Sequence, residues 1–169
     1  MKPSTARPGP RYPSSLLLIR RSEALWNASR VFLSRWDLSP SQFNILNLLY
    51  GEPAGCTQIE LSRQLITHRS NITGLLDRLA GRGLVERRNT LNDRRAFNVV
   101  LTPSGQELVR RIQPEYFRAL EQIWGARSVE EARSLVSDLS SVVENAENLA
   151  RAGHRNPNKQ TGGSYARDD

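Results

Sequence analysis

The sequence has little of the chemistry that disulfides, metal sites and membrane spans require. It contains one cysteine, Cys56, so an internal disulfide is excluded. Only His68 and His154 accompany that cysteine, and a site of nitrogen and sulfur ligands is therefore not expected. No run of 18 apolar residues occurs, and the apolar stretch at 15–19 is too short for a signal peptide. These absences predict a soluble, cytoplasmic protein without a metal, a cofactor or a membrane anchor.

Sequence motifs of catalysis are missing as well. The chain has no G-x-S-x-G nucleophile motif and no glycine-rich phosphate loop. Its carboxylates are scattered over predicted helix faces, where solvation is their ordinary role. We therefore expect no catalytic residue, and the sequence indicates a binding protein rather than an enzyme.

The charge that is present is unevenly distributed. The formal net charge is +7, but residues 60–95 hold eight arginines against four acids, and residues 119–150 hold two arginines against six acids. A basic segment and an acidic segment in one molecule would orient a polyanion in their field. Of the 24 basic residues 22 are arginine, which binds phosphate and base edges bidentately, although a GC-rich genome would produce the same bias.

Start and stop patterns predict six helices and one hairpin. Capping boxes at Ser39–Gln42, Thr57–Glu60 and Ser128–Glu131 each begin a helix. The predicted order is a helix over 14–36, helices over 40–50, 57–65 and 69–81, strands over 84–88 and 96–101, a helix over 103–125 that includes Pro114, and a last helix from 128. This order predicts a mainly α protein with a small β-hairpin, namely a winged helix-turn-helix with long N- and C-terminal helices; the family resemblance described below implies that these are dimerisation helices.

The helix over 69–81 has the two faces that a DNA recognition helix needs. Four apolar residues at helical spacing, Ile72, Leu75, Leu76 and Leu79, are expected to face the core. Small or polar residues lie on the opposite side, where they would permit close approach to base edges in a major groove. Gly74 is costly inside a helix; close approach to DNA would explain it, and so would close packing against a neighbouring helix. The residues predicted to contact DNA from this helix and its cap are His68, Arg69, Ser70, Asn71, Thr73 and Gly74.

The segment NDRRAF at 92–97 places charges at the predicted tip of the hairpin. An arginine there can enter a minor groove, where A·T-rich DNA concentrates negative potential. Asp93 could accept hydrogen bonds from Arg95 and fix its direction, with Arg94 at a phosphate. A solvated hairpin tip with a weak surface ion pair is the alternative, which the preceding helix-turn-helix disfavours.

The segments IELSRQLITHRSNITGLLDRLAGRGLVERR and NDRRAFNVVLTPSGQEL resemble the MarR family of bacterial transcription regulators. The resemblance covers about 39–108 closely and 14–150 loosely. It implies a homodimer that binds pseudo-palindromic duplex DNA, usually as a repressor released by a small ligand or by cysteine oxidation. It also implies that Asp77 and Arg78 form the acid–base pair of the recognition helix, with Asp77 supporting an arginine at the base of the wing and Arg78 counted among the DNA-binding residues.

The resemblance also sets the domain organisation that we expect. Residues 39–102 form the winged helix-turn-helix, and residues 14–38 and 103–152 form the helical dimerisation region. Residues 1–13 form a disordered basic N-terminal tail, and residues 153–169 a disordered C-terminal tail.

Effector control is less determined by the residues. A small aromatic or phenolic ligand is a possible partner, and four aromatic residues could line its pocket or belong to the core: Trp26, Trp36, Tyr50 and Trp124. Oxidation-sensing members of the family carry a reactive cysteine near the start of the first helix, and this chain has none there, so the resemblance disfavours redox sensing. Cys56 does precede a helix N-terminus, which can lower a thiol pKa. A winged helix that binds only proteins, or an architectural DNA binder without sequence preference, remains the alternative function.

Overall fold

The protein is described by a computed structural model. The structure describes residues 7–65, 69–90 and 93–153. Within these ranges, only the backbone is described for residues 69–71, 89–90, 93–96 and 153. The predicted C-terminal tail lies outside the described residues except for residue 153, whereas only residues 1–6 of the predicted N-terminal tail (1–13) do so, and α1 already begins at Tyr12. The chain divides into two compact units, Met1–Phe117 and Arg118–Asp169.

The described part contains the predicted helices and the predicted hairpin in the predicted order. The elements are α1 (Tyr12–Leu33), a short 3-10 helix (Ser34–Trp36), α2 (Pro40–Gly51), α3 (Gln58–Gln64), α4 (Arg69–Gly81), β1 (Val85–Thr90), β2 (Asp93–Leu101), α5 (Pro103–Trp124) and α6 (Val129–Gly153). Both strands extend further towards the hairpin tip than predicted, and α5 continues through Pro114.

All three predicted capping boxes are present. Before α2, the Ser39 backbone nitrogen donates to Gln42 Oε1 over 2.9 Å, and the Gln42 nitrogen donates to Ser39 Oγ over 3.2 Å. The same reciprocal pairs begin α3 at Thr57 and α6 at Ser128. Each box satisfies helix N–H groups that lack partners within the helix, and so it fixes where the helix starts.

The hairpin is attached to the chain segment before α3. Strands β1 and β2 pair antiparallel, with Val85 opposite Leu101 and Arg87 opposite Val99. On the other side of β2, Cys56 exchanges two backbone hydrogen bonds with Val99, of 3.0 and 2.8 Å. This isolated bridge, which the sequence pattern did not predict, attaches β2 to the segment before α3.

Glycine is required beside the bridge between Cys56 and Val99. Gly55 has φ +78°, and a Cβ there would lie 2.5 Å from both Val100 Cγ1 and the Val99 carbonyl oxygen. A larger residue would therefore be strained and would also displace β2.

One apolar core occupies the first unit. The predicted core residues of α4 are buried, with Ile72 and Leu79 fully enclosed. They pack with Phe43 and Leu46 of α2 and with residues of the other elements, the remaining fully enclosed side chains being Leu33, Ile45, Leu61, Leu76, Val99, Val109 and Ile112. This core sets the position of α4 relative to α2, α3 and the hairpin.

Helices α1 and α6 have many exposed apolar residues, although Leu33 at the end of α1 belongs to the core. In α1, Ile19 and Leu25 keep 64% and 60% of their surface accessible. In α6, Leu149 keeps 74% and Val142 keeps 49%. The single chain therefore leaves apolar surface exposed on both helices.

Candidate nucleic-acid interface

Helix α4 has one buried face and one exposed face. Its apolar residues pack into the core, whereas Thr73, Gly74 and Asp77 are exposed. A Cβ at Gly74 would have only one neighbour within 4 Å, Arg78 Nη2 at 3.9 Å. Close packing against another helix therefore does not explain this glycine among the described residues.

The N-terminal end of α3 touches the exposed face of α4. Gln58 Nε2 donates to Thr73 Oγ1 over 2.6 Å. Gln58 is the first residue of α3, and the Thr57–Glu60 capping box fixes the turn from which its side chain extends. Sequence reasoning did not single out Gln58, because a contact across 15 positions has no local pattern.

Asp77 connects the recognition helix to the hairpin. Its Oδ1 accepts a hydrogen bond of 2.7 Å from Arg87 Nη2, and the guanidinium carbon of Arg87 lies 5.3 Å from the centre of the Phe97 ring. Arg87 belongs to β1 and Phe97 to β2, so one arginine joins α4 to both strands. This is the contact expected for Asp77, but neither Arg87 nor Phe97 was predicted, since their roles depend on strand register.

Arg78 lies on the edge of α4 away from α3. It lines a cleft of about 450 Å³ together with residues of the α2 start and the end of α4, namely Asp37, Ser39, Gln42, Leu75 and Arg82. Arg82 is held there by its hydrogen bonds to the Asp37 and Trp36 carbonyl oxygens. The cleft thus contains two arginines, Arg78 and Arg82, and one carboxylate, Asp37.

Several predicted site residues lie beyond what the structure describes. His68 is outside the described ranges, and so are residues 91–92 of the hairpin tip. For six further residues the backbone is described but the side chains are not: Arg69, Ser70, Asn71, Asp93, Arg94 and Arg95. Their backbone forms the first turn of α4 and the first residues of β2.

Cys56 has the surroundings of a packed thiol. It is 5% exposed, and burial, followed by the nearby carboxylates of Glu60 and Glu52, raises its pKa above the usual range. Its place before α3 therefore does not lower the pKa of the thiol, and a thiol of raised pKa is poorly suited to oxidation sensing, which the sequence already disfavoured. Within the described ranges, no group of three potential metal ligands occurs, and no helix is both long and apolar enough to cross a bilayer.

The predicted aromatic residues have different surroundings. Trp36 packs against the core through Phe32, with ring centres 5.6 Å apart, whereas Trp26 and Tyr50 are exposed. In the second unit, Trp124 lines a cavity of about 500 Å³ at the turn between α5 and α6, with Glu121, Arg127, Ser128, Val129, Ala132, Arg133, Val136 and Ser137. That cavity has both an indole surface and guanidinium groups.

Comparison with known proteins gives consistent results. The model of the MarR family matches residues 38–97. The transcriptional regulator FarR of Neisseria gonorrhoeae is 31% identical over 130 residues, which cover 75% of this chain and 88% of FarR. The transcriptional repressor MprA of Escherichia coli is 41% identical over 76 residues. This match covers 45% of this chain and 43% of MprA, which is less than half of that protein.

A solved structure has the same fold. A mutant of MarR from Escherichia coli, complexed with operator DNA, superimposes with a TM-score of 0.67 at 27% identity, over 77% of this chain and 93% of that one. The winged helix-turn-helix, its exposed recognition helix and these relatives lead to one conclusion: the chain belongs to the MarR family of transcriptional regulators.

Proposed function

We propose that this protein is a sequence-specific regulator that binds duplex DNA, with α4 in the major groove and the hairpin in the adjacent minor groove. The bare exposed face of α4 at Gly74 supports this role, because it permits the helix backbone to approach base edges. The basic segment 60–95 would contribute the phosphate contacts that every such complex needs.

The observation that carries the proposal is the contact between Asp77 and Arg87. Helix α4 and the hairpin must act as one rigid piece if neighbouring grooves are to be bound together. The 2.7 Å hydrogen bond and the contact of Arg87 with Phe97 join the two elements. In this arrangement Arg69, Ser70, Asn71 and Thr73 read bases and Arg95 enters the minor groove. His68, Arg78 and Arg94 contact the backbone, and Asp93 orients Arg95.

A homodimer is the form that we propose for binding. The exposed apolar residues of α1 and α6 would lose their contact with water if a second copy covered them. Two copies would place two recognition helices on half-sites about one helical turn apart, which predicts a pseudo-palindromic operator. As in the relative named a repressor, occupancy of the operator would block transcription in the cytoplasm.

Release by a small aromatic or phenolic ligand completes the proposal. The cavity beside Trp124 could bind such a ligand, since an indole packs on an aromatic ring and Arg127 can pair with a carboxylate or phenolate. A ligand would act only if it bound the DNA-competent and incompetent states with different affinity. A thermal-shift screen with benzoate and related acids, repeated on Trp124→Ala, would test this part separately.

The direct test of DNA binding uses one wing arginine and one control arginine. Arg95→Ala should weaken binding to a selected operator by about 1–3 kcal/mol, whereas Arg110→Ala, on α5 and paired with Glu107, should not. A gel-shift titration at fixed salt measures both. Equal affinities for Arg95→Ala and wild type would contradict the role given to the wing.

Competition experiments separate the alternative functions. A winged helix that binds only proteins would show no duplex affinity, and an architectural binder would be displaced equally by unrelated duplex. A sequence-specific regulator retains its operator against an excess of unrelated duplex.

A further inference from the structure

Gln58 and Thr73 form the only side-chain hydrogen bond between α3 and α4 among the residues that the structure describes. The donor is the Gln58 amide and the acceptor is Thr73 Oγ1, 2.6 Å away. Gln58 is half-buried and Thr73 is exposed. The bond therefore lies at the surface of the helix-turn-helix, on the side where α4 offers its unpacked face.

The direction of this bond determines what the Thr73 hydroxyl can do next. A threonine hydroxyl has one hydrogen to donate and two lone pairs that accept. Because the Gln58 amide hydrogen occupies a lone pair, the hydroxyl hydrogen must point away from Gln58. Within the described part of the chain this hydrogen has no acceptor. One lone pair also remains, but an oxygen that already accepts one hydrogen bond is satisfied, so the hydrogen is the group that needs a partner on the exposed side of Thr73.

We propose that Gln58 is a specificity-determining residue: by donating to Thr73, it makes the Thr73 hydroxyl a reader of hydrogen-bond acceptors in the major groove. This inference rests on the proposed function, in which α4 enters that groove. Guanine presents acceptors at O6 and N7 and thymine presents O4, whereas cytosine presents only the N4 donor. The base that faces Thr73 is thus guanine or thymine in preference to cytosine.

A purely structural role for the bond would have different consequences. Helices α3 and α4 already pack through Leu61, Ile72 and Leu76, which are fully enclosed. An exposed hydrogen bond between neutral groups adds little to such packing. If the bond only stabilised the fold, its removal would lower the unfolding temperature and leave the base preference unchanged.

The experiment is selection of bound sequences from a random duplex pool by the full chain. The variants are Thr73→Val, which removes the hydroxyl at nearly constant shape, and Gln58→Leu, which leaves the hydroxyl free to rotate. Gln64→Leu makes the same change at the other end of α3 and is the matched control. The half-site position that Thr73 contacts is the one whose base frequencies change in Thr73→Val. At that position, cytosine should be about two- to tenfold rarer than guanine or thymine among the duplexes that wild type and Gln64→Leu select. Both Thr73→Val and Gln58→Leu should lose that depletion.

Gln58→Glu gives the sharpest contrast. A carboxylate has no hydrogen to donate, so it would accept the Thr73 hydroxyl hydrogen and leave a lone pair facing the groove. Cytosine should then be favoured at this position. The added charge lowers affinity for every duplex, and only the relative base preference is compared.

Several results would overturn the inference. One is a wild-type preference for cytosine at this position; another is a set of profiles that do not change in Thr73→Val and Gln58→Leu. A wild type that selects no sequence at all would overturn the proposed function together with this inference. Should Gln58→Leu unfold, Thr73→Val still tests the same bond.

Discussion

The core of the first unit and the two long helices at the ends of the chain differ in how much of their apolar surface is enclosed. Between Leu33 and Ile112, most large apolar side chains are enclosed by contacts within one chain. In α1 and α6, equally apolar residues such as Leu25 and Val142 stay about half exposed or more. The same chain therefore contains a region whose apolar residues are enclosed and helices whose apolar residues are exposed, and we proposed that a second copy covers the latter.

This difference separates stability from assembly. Substitutions in the core change the free energy of unfolding directly, because the lost contacts lie within the chain. In the proposed dimer, substitutions of the exposed apolar residues in α1 and α6 would weaken the association of two copies and would affect DNA binding only through that association. The predictions below test whether these two effects are in fact separate.

The largest effect is expected for Phe43. Its side chain is fully enclosed and its ring centre lies 4.7 Å from that of Tyr116. Phe43→Ala should lower the free energy of unfolding by about 3–5 kcal/mol, because it removes apolar contacts and leaves a cavity. Denaturant unfolding of the full chain measures this loss. Tyr50→Ala in the same helix, at a residue that is 38% exposed, should cost much less, and equal costs would refute the comparison.

The next largest effect is expected for the exposed apolar residues of α1. Leu25→Glu places a charge where a partner helix is expected, and it should raise the dimer dissociation constant by about tenfold or more. Sedimentation velocity over a concentration series measures the change, and gel shift should show a parallel loss of operator affinity. Glu23→Gln on another face of α1 is the control. A dimer as strong as that of wild type would place the interface elsewhere.

The core, the capping boxes and the order of elements could be predicted because local patterns determine them. Ile72 and Leu79 repeat at helical spacing, and the polar residues of a capping box lie three positions apart. The shape of α4 and its exposed face followed from these patterns. The direction of the pKa shift of the Cys56 thiol could not be predicted, because its main cause is burial, which is a tertiary property.

The contacts that connect the elements of the candidate site could not be predicted in the same way. Gln58 meets Thr73 across 15 positions, and Arg87 meets Asp77 across ten. Each pair depends on how two elements pack, and polar residues on exposed faces have no periodicity that would identify a partner. The pairing of Cys56 with Val99 was missed for the same reason.

A smaller effect is expected at Gly74, where stability and DNA binding should change in opposite directions. Gly74→Ala should stabilise the chain by about 0.5–1 kcal/mol, because alanine favours the helix and its Cβ would meet only Arg78. Operator affinity should nevertheless fall by about two- to tenfold as the helix is held away from the bases. Ala80→Gly, which is exposed in the last turns of α4, should destabilise without a change in affinity. Unchanged operator affinity in Gly74→Ala would remove the close-approach explanation.

The smallest effect is expected at Cys56, which tests whether the packed region is also chemically inert. Because burial raises the pKa of its thiol, the thiolate fraction at neutral pH is smaller than in an unfolded chain. Alkylation by iodoacetamide at about pH 7.5 should be about tenfold slower or more in the native protein than in denaturant.

The same raised pKa fixes the sign of the pH dependence. The folded state holds the thiol proton more tightly, so this contribution to stability is fully present below the unfolded thiol pKa of about 8.5 and is lost as the pH rises through the folded value. Cys56→Ala should flatten the decline in unfolding free energy above that pH.

Hydrogen peroxide at neutral pH should leave operator affinity unchanged in wild type, because the buried thiol reacts slowly. A loss of affinity that Cys56→Ala prevents would show that this thiol does sense oxidants.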